Sequence, residues 1–471
     1  MVRLLNVIVI FALAITPGLA QTQSPMPTEA DVELYADPAV IAPAAKLDEL
    51  FQRLDEQNRE LTSLRQLVGA SLDGASSPPR TDGGGERTPV SVTLANAANR
   101  VKLHAGLDTL MVFSTSRPFP SGMPLFLLPA SPFGLATNTF DAHARQSYVG
   151  AMFTGPELGD FQTGAQILTF FQNDNLSTDD YGLLVYYAFG ELKNDDWRVA
   201  VGLQQDVFNP VSPTIVYLTK MYGSGNTGSY RGQARLERFF QEGNDFGLTL
   251  TGALSEPIST LVTSNASRIE EDNGWPNIEG RSEVGFGPLQ AIRGSRVREL
   301  EIGLSGVVGQ TRTTPTLLAP PASLPPRAVI NTWGLGIDVE WQPNEWYGAR
   351  GEVYTGQALG EYNGGITQSY NPDTLAEIRS TGGFGEVFSY LTDEVHVHVG
   401  YGIDHPRASD LAPTQIRQNQ TYFMNWVWDV SKAVQLGFEV DYRKTNYTQF
   451  APDAFLDSDA VILATRFLWR F

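Results

Sequence analysis

Two arginines and a glutamine alternate within one amphipathic segment, at Arg231, Gln233 and Arg235. Alternate side chains of a β-strand lie on one face, so a strand here would present two guanidinium groups side by side. Guanidinium groups bind carboxylates and phosphates through paired hydrogen bonds. We therefore predict an anion-contacting cluster at these residues. The alternative is that acidic neighbours on the same surface pair with the two arginines.

Catalytic and metal-binding patterns are weak in this sequence. His396 and His398 share a strand face by their spacing, but two histidines without a third ligand rarely form a metal site. No nucleophile elbow or phosphate-binding glycine loop stands in the required strand–helix context. A formal charge of −19 argues against nucleic-acid binding. We predict a protein that is not an enzyme and that needs no metal, cofactor or nucleic-acid partner.

The C-terminal segment has the pattern of an amphipathic strand that ends on an aromatic residue. Its apolar residues share one parity and its arginines share the other; they are Val461, Leu463, Phe467, Trp469 and Phe471 against Arg466 and Arg470. A strand of a membrane barrel would turn the first set to lipid and the second to a wet lumen. A terminal Phe on such a strand is typical of bacterial outer-membrane proteins. We predict that Trp469 and Phe471 serve barrel closure and recognition by the outer-membrane assembly machinery.

The breaks between amphipathic segments alternate in length across residues 98–471. Seven short breaks and eight longer loops separate sixteen segments. Outer-membrane barrels have an even number of strands, short periplasmic turns and long outer loops. We predict an all-β fold, a 16-stranded antiparallel transmembrane β-barrel over 98–471 with both termini in the periplasm. A soluble protein is the alternative, but it would have to bury sixteen amphipathic strands around one interior.

The N-terminal region predicts export and self-association. Residues 1–20 resemble a signal peptide, with Arg3, an apolar run and small residues before a cleavage site near Ala20. Residues 44–69 show a heptad pattern that predicts a periplasmic coiled coil, and 70–97 form a Gly- and Pro-containing flexible linker. The residues that we expect at its oligomerisation interface are Leu47, Leu50, Leu54, Leu61, Leu64 and Val68. A lone amphipathic helix packed on the barrel is the alternative.

The polar face of the strands should line a lumen of mixed charge. Besides the cluster at 231–235, the basic residues that we expect to line it and to contact substrate are Arg145, Arg198, Arg350 and Arg443. The loop at 208–228 is too apolar for free exposure and is expected to fold inward and narrow the bore. The apolar loop at 117–140 could cap its own barrel or latch onto a neighbouring subunit.

Three stretches carry a resemblance to a known family. They are Val201–Pro210, Tyr354–Tyr362, and Gly382-Gly383-Phe384 leading to Val399-Gly400-Tyr401-Gly402. With the helix at 44–69, they resemble the trimeric outer-membrane porins typified by DcaP. The resemblance implies a homotrimer through which small negatively charged solutes such as dicarboxylates diffuse passively.

These patterns favour an outer-membrane porin for small hydrophilic solutes, with a preference for small anions. Its expected partners are outer-membrane lipid, two further copies of the chain, the solutes and the assembly machinery. Two alternatives remain open. One is a substrate-specific or gated channel whose loops hold a site. The other is a structural protein that tethers the envelope through its coiled coil.

Overall fold

The computed structural model describes most of the C-terminal four-fifths of the chain. The described residues are 92–95, 99–130, 137–173, 180–240, 245–258, 268–272, 274–293, 295–315, 328–448 and 456–471. The predicted signal peptide at 1–20 and coiled coil at 44–69 lie outside them. Most of the predicted linker at 70–97 also lies outside, and a short strand, Val92–Ala95, is described within that segment.

Sixteen strands among the described residues form one antiparallel sheet. In chain order they are β1 Arg100–Ser114, β2 Thr139–His143 and Tyr148–Leu158, β3 Phe161–Gln172, β4 Tyr181–Lys193, β5 Trp197–Gln205, β6 Tyr230–Phe240, β7 Phe246–Ser255, β8 Arg268–Asp272 and Asn277–Phe286, β9 Leu300–Pro315, β10 Ala328–Trp341, β11 Tyr347–Gln357, β12 Arg379–Tyr390, β13 Val395–Pro406, β14 Ile416–Asp429, β15 Val434–Tyr447 and β16 Ser458–Arg470. Each strand pairs with the next one along the chain.

Several short elements lie outside the sixteen strands. Val92–Ala95 pairs with the start of β1, and two small hairpins are formed by Pro118–Phe119 with Phe126–Leu127 and by Gln290–Ile292 with Ser295–Val297. Single 3-10 turns span Leu359–Tyr362, Gly365–Thr367 and Ala408–Asp410. No helix of the described residues has the length and apolar character needed to cross a membrane.

The sheet closes on itself where the first strand meets the last. β1 pairs with β2 along one edge and with β16 along the other, with Asp108 opposite Leu468. On the inner side of this seam the guanidinium of Arg466 donates to the Asp108 carboxylate, Nε to Oδ1 at 2.9 Å. The prediction of a 16-stranded antiparallel barrel is therefore confirmed.

The two faces of the wall differ as strand alternation requires. On β10, Leu335 is 56% exposed on the outside whereas Asp338, on the opposite face, is 1% exposed. Outward aliphatic and aromatic side chains continue around the barrel, for example Val353 on β11 and Trp426 on β14. A closed sheet with an apolar outer face and a polar inner face is the arrangement that a bilayer solvates.

Short and long connections alternate between the two ends of the barrel. At one end β2 and β3 are separated by two residues, 159–160, and β10 and β11 by five, 342–346. At the other end lie the long loops, here named L1 (115–138), L3 (206–229) and L6 (358–378). The lengths follow the order that the sequence predicts except between β8 and β9. There, residues 287–299 form a longer connection that carries its own hairpin, whereas the sequence predicts a short break near 285–288. Both ends of the barrel segment lie on the short-turn side.

Deletion of Phe471 should reduce the amount of assembled barrel in cells several-fold while changing the stability of refolded protein little. The terminal residue exchanges two backbone hydrogen bonds with Ala105, at 3.1 and 2.8 Å, and each contributes only about 1 kcal/mol to stability. The measurement is the heat-modifiable band in outer-membrane fractions, beside urea unfolding of refolded protein. Phe471→Tyr is the control and should assemble normally. Equal assembly of the deletion variant would remove the proposed recognition role.

Candidate functional site

Loop L3 crosses the lumen and packs against the inner wall on its far side. Val216 and Tyr217 of L3 lie in one buried apolar cluster with Leu110 of β1 and Ile462 of β16. Leu127 of L1 joins the same cluster. The apolar composition of both loops is thereby explained, because each buries its side chains inside the barrel. The prediction that 208–228 folds inward agrees with this geometry, and L1 packs against its own barrel.

Carboxylates of the inner wall hold the backbone of L3. Loop amides crossing a lumen lose their strand partners and need acceptors, and carboxylates are strong ones. The four contacts are Val207 N to Glu279 Oε2 at 2.7 Å, Thr214 N to Glu386 Oε2 at 2.6 Å, Val216 N to Glu439 Oε2 at 3.0 Å and Thr227 N to Glu352 Oε1 at 2.8 Å. Much of the acidic inner wall therefore positions this loop.

Arg231 joins L3 to L6 at the start of β6. Its Nε donates to Asp206 Oδ1 at 2.7 Å, and its Nη1 donates to Glu361 Oε2 at 3.1 Å. Its Nη2 donates to the carbonyl oxygen of Glu361 at 2.8 Å, and its guanidinium carbon lies 3.9 Å from the ring centre of Tyr362. Burial raises the pKa of Asp206 to about 7, although the arginine opposes that shift. Arg231 is 1% exposed, and each of its three guanidinium nitrogens has a hydrogen-bond acceptor within the protein. Its contact with a solute stays a prediction.

The other two members of the predicted cluster lie beside Arg231 on the inner face of β6. Gln233 is buried and donates through Nε2 to the carbonyl oxygens of Gln204 and Gln205, both at 3.0 Å. Arg235 donates through Nε to Gln233 Oε1 at 3.1 Å and lies 3.5 Å from Glu237. Unlike Arg231, Arg235 keeps a partly exposed side chain.

Arg198 of β5 faces the same part of the lumen. Its Nε lies 2.5 Å from Glu191 of β4 and its Nη1 lies 2.7 Å from Glu237 of β6. The wall of β4 to β6 therefore carries a row of alternating charges, in which basic and acidic side chains of neighbouring strands pair. This is the pairing alternative that the sequence left open.

The remaining predicted lumen residues are spread around the inner wall. Arg145 is buried and lies 2.8 Å from Asp141. Arg350 is partly exposed, 3.9 Å from Glu340. Arg443 is buried beneath the loops and donates through Nη1 to Leu125 O and Ser224 Oγ. The structure brings Arg198, Gln233 and Arg235 together near the Glu237 carboxylate. Arg145, Arg350 and Arg443 lie apart from that group.

Lys220 is a candidate that sequence reasoning missed. It lies at the turn of L3 beside β4 and β6, where Nζ donates to Tyr230 Oη at 3.1 Å. Its ammonium also lies over the rings of Tyr186 and Tyr230, 5.8 and 5.7 Å from their centres. A sequence signal existed, because Lys220 is the lone basic residue in 206–229, a loop expected to fold inward.

The paired histidines belong to the inner wall. His396 Nδ1 lies 2.7 Å from His398 Nε2, and His398 Nδ1 lies 2.6 Å from Glu386 Oε1. Because Glu386 also accepts from L3, the histidines support the loop. Among the described residues no group of three or more His, Asp or Glu side chains is arranged to hold a metal ion.

Comparison with known proteins finds solved structures of similar architecture. No family model matches the sequence, and no curated protein matches it. The outer membrane channel DcaP of Acinetobacter baumannii is 13% identical, at a TM-score of 0.59, over 80% of this chain and 99% of its own. This chain has the barrel fold of the DcaP channel. The anion-selective porin from Comamonas acidovorans is 12% identical, at a TM-score of 0.49, over 79% of this chain and 100% of its own.

The stretches that carry the DcaP resemblance meet inside this DcaP-type barrel. Phe208, from the first stretch, and Tyr362, from the second, pack edge to face with ring centres 5.7 Å apart. Gly383, from the third, lies against L3 at Gly225. The three stretches therefore hold L3 and L6 in the lumen of the DcaP-type barrel.

Proposed function

We propose that this protein is an outer-membrane porin through which small hydrophilic solutes diffuse, with a preference for small anions. The observation that carries the proposal is a closed barrel whose inner wall remains partly open to water on one side of an infolded loop. The DcaP fold supports the placement in the outer membrane, and its apolar outer face fits a partnership with lipid. Assembly as a homotrimer through the segment 44–69 belongs to the same proposal.

The path for solutes runs along β2 to β6. Inward side chains there, such as Gln166 of β3 and Phe189 of β4, are partly exposed. On the opposite side of the barrel, inward residues such as Asp404 and Asn419 are fully buried beneath L3, L6 and L1. The lumen is therefore filled on one side and lined by polar, aromatic and charged groups on the other.

Proteoliposome swelling tests the proposal. Vesicles that hold the refolded mature protein are diluted into isosmotic solutions of neutral and anionic solutes of rising size. Diffusion through a narrowed bore predicts rapid swelling with small solutes, a steep decline with size, and faster entry of anions than of neutral solutes of equal size. Swelling no faster than in protein-free vesicles would contradict the porin proposal.

A substrate-specific channel is the second candidate, because three loops fill one side of the barrel. L6 residues such as Leu359 and Ile366 are fully buried, so the outer loops are packed to an extent that simple diffusion does not require. A specific channel predicts saturation of flux and block of the ionic current by one solute at low concentration. Flux that rises linearly with concentration for every solute would favour the general porin.

A further inference from the structure

Lys220 differs from the arginines of β5, β6 and β8 because no carboxylate in the described part of the chain lies beside its charge. Arg198, Arg231, Arg235 and Arg281 each have a carboxylate oxygen within 3.5 Å. Among the described residues no carboxylate oxygen approaches the Lys220 ammonium to that distance; its contacts are the Tyr230 hydroxyl and two aromatic rings. Its positive charge is therefore uncompensated, whereas theirs is neutralised locally.

The surroundings of Lys220 consist of tyrosines. The rings of Tyr186 of β4 and Tyr230 of β6 lie against each other, tilted by 34°, with their centres 3.6 Å apart. Tyr187 lies edge-on to Tyr230 at 5.4 Å. Tyr222 of L3 is buried next to Tyr186. Aromatic faces stabilise a cation without neutralising it, and phenol hydroxyls can donate to an anion. This group of rings therefore holds the ammonium in place and leaves its charge available.

The position of Lys220 brings that charge to the solute path. L3 narrows the lumen, and Lys220 is the point at which it returns toward β4 and β6, on the open side of the barrel. Lys220 is partly exposed, and its ammonium lies over the tyrosine rings. A fixed charge acts most strongly on ions where the bore is narrow and its walls have a low dielectric constant.

We infer that Lys220 is the residue that sets the anion preference of the pore, and that its ammonium with the tyrosine hydroxyls forms a weak site for a small anion. The inference rests on the proposed porin function and names the side chain that determines its selectivity. The anion contact that the sequence predicts at Arg231 and Arg235 of β6 is thereby assigned to Lys220 of L3, the loop that faces them.

Lys220→Gln should lower the ratio of chloride to potassium permeability about threefold or more. One unit charge at about 6 Å in a water-filled bore changes the local ion concentration by that factor. The measurement is the reversal potential of refolded protein in a planar bilayer under a KCl gradient. Lys432→Gln is the matched control, because Lys432 is an exposed lysine in the short turn between β14 and β15, outside the solute path along β2 to β6. The control should leave the ratio nearly unchanged.

The dependence on pH gives a second, independent readout. Burial lowers the pKa of Lys220 to about 8, so the ammonium is charged below that pH and neutral above it. Anion preference of the wild type should therefore decline as the pH rises from 7 to 9. Lys220→Gln should show no such decline, and Lys220→Arg should keep the preference at pH 9 because arginine stays protonated. Tyr186, Tyr187, Tyr222 and Tyr230 are the titratable groups around it, and the carboxyls of Asp206 and Glu352 act electrostatically on Tyr222.

The outcomes separate the inference from the porin proposal. No conductance from a correctly assembled wild-type barrel would overturn the porin proposal. An anion-selective wild type with an equally selective Lys220→Gln variant would overturn the role of Lys220 and leave the porin standing. An equal loss in Lys220→Gln and Lys432→Gln would also overturn it, since total charge rather than position would then matter. Heat modifiability of each variant checks that its barrel has assembled.

Discussion

Replacing Arg231 with methionine should lower the free energy of unfolding of the barrel by about 3–5 kcal/mol, the usual cost of removing one partner of a buried ion pair. The guanidinium is enclosed by the Asp206 and Glu361 carboxylates and the Tyr362 ring. Without it, two carboxylates remain buried with no cation. L3 and L6 should separate at this point, and open-channel current should become larger and noisier.

Urea unfolding of refolded protein in detergent, followed by tryptophan fluorescence, measures the loss of stability, and single-channel recording measures the release of the loops. Arg235→Met is the matched control. It lies four residues along the same strand face, and Glu237, the carboxylate 3.5 Å from it, keeps Arg198 as a partner. Its loss should therefore cost about 1–2 kcal/mol, mainly through lost hydrogen bonds. Similar costs for the two variants would contradict the assigned role of Arg231.

Gly225→Ala should displace L3 from the wall and raise single-channel conductance. Gly225 has φ of +101°, which L-residues rarely adopt, and a Cβ there would lie 2.1 Å from the carbonyl oxygen of Gly383 and 2.8 Å from the amide nitrogen of Ile403. These are backbone atoms of β12 and β13, which cannot move aside without breaking the sheet. The loop must therefore shift toward the lumen centre or leave it.

The comparison is with Gly252→Ala on β7, where a Cβ would meet no atom within 4 Å. That variant should conduct like the wild type. A change in conductance or in its fluctuations for Gly225→Ala, absent from the control, is the expected result. Unaltered conductance from a fully assembled Gly225→Ala barrel would show that L3 does not rest on this wall.

The wall of the barrel could be predicted from the sequence because apolar and polar residues alternate along each strand. Alternation along Trp333–Trp341 and the change from short to long breaks fix the faces and the order of strands, and the structure confirms both. Parity also identifies Arg231, Gln233 and Arg235 as inward. Local patterns of this kind are independent of partners elsewhere in the chain.

What covers the inner face could not be predicted in the same way. Arg231 is enclosed by Glu361, which lies 130 residues away on a loop without any period. The apolar content of L3 predicts its inward fold, but its path depends on amide contacts with Glu279, Glu352, Glu386 and Glu439 on four strands. Lys220 could not be identified from the sequence because an isolated charge in a loop is usually solvated. Only its tyrosine neighbours, which are distant in sequence or on other strands, distinguish it from a solvated lysine.

The most direct test of the porin proposal is the conductance of refolded mature protein in a planar bilayer under a KCl gradient. The proposal predicts stepwise insertion of open channels, steps grouped in threes for a homotrimer, and a reversal potential of the sign that anion preference gives. A correctly assembled barrel that passes no current would contradict the proposal, and a reversal potential of the opposite sign would contradict the anion preference.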